Sequence, residues 1–164
     1  MINLNVGDKA PDFDLPGNGG ARISLDKHSG KNVVVYFYPK DNTEACTLEA
    51  IDFTRLAPQF AAAGTEIIGI SPDSAKKHDN FCRKHNLGIA LAADEDTAVI
   101  QAYGVWAEKQ MYGRTYMGVV RTTFLIDGNG RIVRIWPKVS VKSHAEDVLA
   151  AVQSLQADEA KRQP

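Results

Sequence analysis

Val33-Val34-Val35-Tyr36-Phe37-Tyr38-Pro39-Lys40-Asp41-Asn42-Thr43-Glu44-Ala45-Cys46 is the stretch on which the reading of this chain turns. Asn32 to Phe37 is apolar and β-branched without alternation, as expected of a central strand buried on both faces. Pro39 and Asp41-Asn42 end it. From Glu44 to about Ala63, the residues Cys46, Ala50, Phe53, Ala57 and Phe60 recur at helical spacing, and Gly64 supplies the stop. One of only two cysteines therefore falls in the first turn of a helix that follows a strand. Unpaired backbone N–H groups and the positive end of the helix dipole favour a thiolate there. A dipole contribution of up to ~2 kcal/mol does not by itself ionise a thiol at neutral pH, so a nearby cation is also wanted. The alternative is a small buried apolar residue, which cysteines commonly are.

Outward from this unit, Phe13 to Leu15, the turn Pro16-Gly17-Asn18-Gly19-Gly20 and Ala21 to Leu25 read as an N-terminal hairpin. A second apolar run, Glu66 to Ile70, leads through Ser71-Pro72-Asp73 into a helix over Ser74 to His85, closed by Asn86-Leu87-Gly88. Strand, helix, strand, helix implies parallel strands joined by crossovers. Ile89 to Ala92 is a weak strand and Thr97 to Tyr103 a short helix. Arg121 to Ile126, the turn Asp127-Gly128-Asn129-Gly130 and Arg131 to Pro137 predict a hairpin. Ser143 to Ala157 is helical, with Val148, Leu149, Val152 and Leu155 on its buried stripe. The segment 105–112 is too irregular to place, and a loop packed on the core is the reading preferred over one whose aromatics wall a pocket. The order of elements is α/β and that of a thioredoxin-like fold: a central mixed sheet flanked by helices, with the hairpin as an N-terminal extension.

At 164 residues the chain fits a single domain, 1–164, that buries close to ~70% of its unfolded surface without staples. Residues 157–164 form a polar tail. Two cysteines are too few for a disulfide scaffold, and Met1 to Gly7 lacks the regions of a signal peptide. A reducing cytoplasm is the expected setting, where a cysteine pair is catalytic or redox-active more often than structural. A net charge of −1 gives no basic footprint for nucleic acid, and no apolar run approaches membrane-spanning length. Small molecules or other proteins are the expected partners.

Pro39, Thr43 and Cys46 are spaced as in the proline, threonine, cysteine motif of peroxiredoxins. Tyr36 to Asp41, Asp52-Phe53, 109–113 and 121–126 resemble the bacterioferritin comigratory protein, or PrxQ, branch of that family, and the similarity spans roughly residues 5 to 155. The resemblance implies a thioredoxin-dependent thiol peroxidase that reduces hydrogen peroxide and organic hydroperoxides without metal or organic cofactor. It assigns Cys46 as the peroxidatic nucleophile. Arg121 would hold thiolate and peroxide with fixed N–H donors, the Thr43 hydroxyl would bond and align the peroxide, and Pro39 would shield the sulfur from water. Read singly, Thr43 is equally an N-cap, Pro39 a strand terminator and Arg121 the partner of a surface carboxylate. The family usually has proline and glycine before the cysteine, and here Glu44 and Ala45 stand there. The Glu44 charge would oppose a thiolate unless it points into solvent.

Attack on peroxide leaves a sulfenic acid that a second thiol must resolve. Many relatives place that thiol five residues on, where this chain has Ile51. Cys82 is the remaining thiol, and the sequence resembles a PrxQ subgroup, of the atypical two-cysteine type, whose intramolecular disulfide joins two helices. Disulfide formation needs Cα atoms within ~7 Å, while helices on one sheet face pack ~8 to 10 Å apart. The first turn around Cys46 and part of the Ser74 to His85 helix are therefore expected to unwind. Thioredoxin or a similar dithiol protein would recycle the disulfide, and the branch implies a monomer. Three alternatives stand beside this: a one-cysteine peroxidase resolved by an external thiol, a noncatalytic binding or chaperone-like module of the same fold, and a zinc site from His78, Cys82 and His85 on one helix face, completed by Cys46. A thioredoxin-type reductase is disfavoured because no Cys-x-x-Cys is present.

Overall fold

A computed structural model describes residues 3–162. Its centre is β3 (Asn32–Phe37), every residue of which is buried. Parallel to it lie β4 (Thr65–Ser71) and, beyond that, β5 (Ala90–Ala93). Antiparallel on its other side lie β8 (Thr122–Ile126) and then β9 (Ile132–Trp136), giving the sheet order β5-β4-β3-β8-β9. Alternate residues of β3 feed two separate cores, which is why the run lacks polar alternation. Val34 and Tyr36 join Phe53, Phe60, Phe81 and Val148 on one face, and Val33, Val35 and Phe37 join Tyr103, Phe124 and Ile126 on the other.

The first face is covered by α1 (Glu44–Ala62), α2 (Ala75–His85) and α4 (His144–Arg162), and α3 (Ala98–Ala102) lies against the second. The N-terminal hairpin forms from β1 (Asp14–Pro16) and β2 (Arg22–Ser24), paired antiparallel, with a 3₁₀ turn at Asn18–Gly20 between them. Helix α4 runs to Arg162 rather than stopping at Ala157, because 157–161 is a run of residues without a breaker, rich in alanine and long charged side chains. Of the expected polar tail, residues 163 and 164 lie outside the described part.

The segment 105–112 departs most from expectation. Trp106–Met111 is β6, paired antiparallel with β7 (Arg114–Val119) through a two-residue reversal at Tyr112-Gly113. Both turn residues have positive φ, 53° and 76°, the geometry that lets a short hairpin follow the strand twist. Its strands lack an apolar alternation because the hairpin stands away from the core: Tyr112 is 97% exposed, and Met111, Tyr116 and Met117 are exposed as well.

Candidate active site

The loops leaving the parallel strands β3 and β4 meet at the carboxyl edge of the sheet, where α/β folds place ligands. The Asp41 amide donates to Asp73 Oδ2 at 2.8 Å, and the Tyr38 amide to the Ile70 carbonyl at 3.1 Å, so the two loops are tied together. Phe37 pairs with Thr122 across the β3–β8 register. Arg121, the residue just before β8, therefore stands beside the chain as it turns toward Cys46. Sheet register brings together two residues 75 positions apart.

Arg121 Nη2 donates to Cys46 Sγ at 3.2 Å, and Arg121 Nη1 to Glu49 Oε1 at 2.6 Å. Cys46 is 2% exposed, and the Glu49 side chain is almost wholly enclosed. One turn of α1 separates Cys46 from Glu49, so both face the same guanidinium. That group is planar with fixed donors, and it can hold a sulfur and a carboxylate at once. Burial pushes the Glu49 carboxyl up to about 7, against the opposing pull of Arg121. Glu49 escaped the sequence reading because a glutamate mid-helix is ordinarily solvated. The detectable signal was its position three residues after Cys46, on the buried face. Lys109 on β6 is a further cation here: burial, then the Arg121 charge, hold it below the usual lysine range, while Cys46 pulls the other way.

Thr43 occupies the N-cap position of α1, but its side chain makes no capping bond. Its hydroxyl instead donates to the Lys40 carbonyl at 2.8 Å, closing the turn 40–43. The oxygen's lone pairs stay available, so toward a ligand this hydroxyl acts as an acceptor. Pro39 is half-buried in the loop after β3. Glu44 and Ala45 are exposed, so the Glu44 charge points to solvent. Arg121 pairs with a buried carboxylate rather than a surface one.

Cys82 sits half-buried on α2, packed against the same apolar cluster that contains Cys46. Both are free thiols. Its sulfur accepts a bond from Asn18 Nδ2 at 3.4 Å, and burial, followed by the Asp41 charge, pushes the thiol up to about 11. In this setting it is a poor nucleophile. His78 does not offer itself to a metal: Nδ1 lies 2.6 Å from Asp41 Oδ2 and Nε2 3.0 Å from the Ala92 carbonyl. Among the described residues no cluster of three or more histidine, cysteine or carboxylate side chains is disposed to hold a metal ion.

A thioredoxin-like sheet carrying a buried cysteine, one turn into a helix and bonded by an arginine that a buried carboxylate fixes, defines the class of thiol peroxidases. The sequence pattern of the AhpC/TSA family matches residues 6–135. Peroxiredoxin Bcp of Bacillus subtilis is 43% identical over 154 residues, covering 94% of this chain and 98% of that one. A structure of Xanthomonas campestris Peroxiredoxin Q superposes with a TM-score of 0.86 at 42% identity, covering 94% of this chain and 98% of its own. A Xanthomonas campestris bacterioferritin comigratory protein, studied for alkyl peroxide reduction, gives a TM-score of 0.86 at 41% identity, covering 95% and 99%. The chain belongs to the peroxiredoxin family, in its Bcp/PrxQ branch. No helix among the described residues is long and apolar enough to cross a membrane.

Proposed function

We propose that Cys46 is the peroxidatic nucleophile and Cys82 the resolving thiol of a thioredoxin-recycled peroxidase. The Arg121–Cys46 contact at 3.2 Å, with Arg121 clamped by Glu49, carries this reading. A thiolate is stabilised by a guanidinium donor, and the same fixed donors face the charge that develops on the peroxide oxygens. The Cys46 sulfur attacks the near peroxide oxygen, an S–O bond forms, the O–O bond breaks, and the far oxygen leaves as water or alcohol after taking a proton. Thr43 accepts from the peroxide O–H and aligns it. Pro39, which lacks an N–H, limits water beside the sulfur.

Resolution joins the Cys82 sulfur to the Cys46 sulfur and releases the sulfenic oxygen as water. The resting position of Cys82, half-buried with its thiol pushed up to about 11, supports an unwinding step before that bond forms. Alkyl peroxide reduction by the Xanthomonas campestris relative supports organic hydroperoxides as substrates alongside hydrogen peroxide. A dithiol protein of thioredoxin type returns both electrons, in a cytoplasmic setting, and the working form is a monomer. Peroxide consumption coupled to thioredoxin, thioredoxin reductase and NADPH tests the cycle. The wild type is expected to turn over and Cys46→Ser to be inactive. Cys82→Ser is expected to stall after one equivalent of peroxide. Sustained turnover of Cys82→Ser with thioredoxin would instead favour a one-cysteine enzyme.

A further inference from the structure

Helix α2 touches the loop in front of Cys46 at two points, and a histidine makes both. His78, fully buried, places Nδ1 2.6 Å from Asp41 Oδ2, and His85, two turns on, places Nε2 3.3 Å from Asn42 Oδ1. Cys82 lies between them on the same helix face. The Ala92 carbonyl at 3.0 Å can only accept, so His78 Nε2 carries a hydrogen, and a further proton lies between Nδ1 and the Asp41 carboxylate. Asp41 is fixed in turn: the Tyr38 hydroxyl donates to its Oδ1 at 2.6 Å, and its amide is held by Asp73. Elsewhere α2 is held by Phe81 in the apolar core and by the 3₁₀ turn, where Asn18 bonds Cys82 and the Gly19 amide donates to Asp79 Oδ1 at 2.7 Å. The two histidines are therefore its side-chain bonds to the Cys46 loop.

We propose that His78 and His85 form a two-point latch that fixes the Cys82 helix to the Cys46 loop, and that its opening sets how the Cys46 sulfenic acid divides between disulfide formation and over-oxidation. This rests on Cys82 being the resolving thiol. While the latch is closed, Cys82 stays on its helix and the sulfenic acid remains in a site built for peroxide. A second hydroperoxide then transfers an oxygen to it, giving sulfinic acid and water or alcohol. Once the latch opens, α2 is free to unwind away from the loop and the two sulfurs can meet, with water as the leaving product. The two outcomes compete, so their ratio follows the open fraction. Asp41, His78, Asn42 and His85 act through the cysteines as positioning residues.

The test is the ratio of sulfinic acid to Cys46–Cys82 disulfide, read by mass spectrometry after graded hydrogen peroxide, in wild type, Asp41→Asn and His85→Ala. Asp41→Asn keeps the shape and replaces a charge-assisted bond by a neutral one, so the sulfinic share should fall about tenfold. His85→Ala, at the half-exposed end, should lower it about two- to fivefold. Hydrogen exchange of reduced Asp41→Asn should speed up across 75–85. A merely structural role would lower the thermal midpoint and leave the ratio as in wild type, which overturns the latch, as does a rise in sulfinic acid. A wild type that forms no Cys46–Cys82 disulfide overturns the resolving cycle and the latch with it.

Discussion

At the scale of single residues, the site is one guanidinium shared between a sulfur and a carboxylate. Lysine keeps the charge of Arg121 but presents its donors from one point, so it cannot bridge Cys46 and Glu49 in the observed geometry. Arg121→Lys is expected to lower the rate constant for Cys46 oxidation about 100-fold with fold and thermal midpoint near wild type, as stopped-flow with hydrogen peroxide and calorimetry would show. Cys46 and Thr43 were legible as candidates because the family motif fixes their spacing, and Arg121 because the separate segment 121–126 resembles the same branch. Their geometry was not. A spacing cannot say that the Thr43 hydroxyl turns back to the Lys40 carbonyl instead of capping α1, since both bonds suit a threonine at that position.

At the scale of elements, α2 is stable for local reasons and is docked through a few side chains, chiefly His78, Phe81 and Cys82. Ser74 caps it by accepting from the Lys77 amide at 3.2 Å, Asn86 ends it in the left-handed conformation, and Arg83, Lys84 and His85 suit the negative end of its dipole. Such a helix forms readily and can also let go. Removing the cap in Ser74→Ala should cost about 1 kcal/mol of helix stability and so speed disulfide formation about fivefold after a peroxide pulse, followed by quenched-flow alkylation. No change in that rate would mean that α2 need not unwind. The helices and central strands were readable because each buries a regular stripe. The β6–β7 hairpin was not, since it projects from the core and its Tyr112-Gly113 reversal lacks the Asn-Gly signal. The His78, Cys82, His85 stripe was seen as a pattern, but only the tertiary partners, Asp41 and Asn42, distinguish a docking seam from a metal site.

For the whole molecule, two buried groups pull the pH dependence of stability in opposite directions. Glu49 is raised from 4.5 to about 7, mainly by burial, so its folded form prefers the proton. Its contribution is full below pH 4.5 and is lost as pH rises toward 7, on the order of 3 kcal/mol across that window. His144 is lowered from 6.5 to about 4, again mainly by burial, so its contribution is present above pH 6.5 and lost as pH falls toward 4. Over the shared window the two slopes oppose each other in the wild type. Glu49→Gln should unmask a loss of stability on acidification, and His144→Gln a gain, in urea denaturation at a series of pH values. Parallel curves for both variants and the wild type would contradict these assignments.

All of this depends on the chemistry at one sulfur. Rapid mixing of the fully reduced protein with hydrogen peroxide at neutral pH, following Cys46 oxidation, measures it most directly. The Arg121-bonded sulfur should react at least about a thousandfold faster than free cysteine. A rate like that of an ordinary thiol would contradict the account.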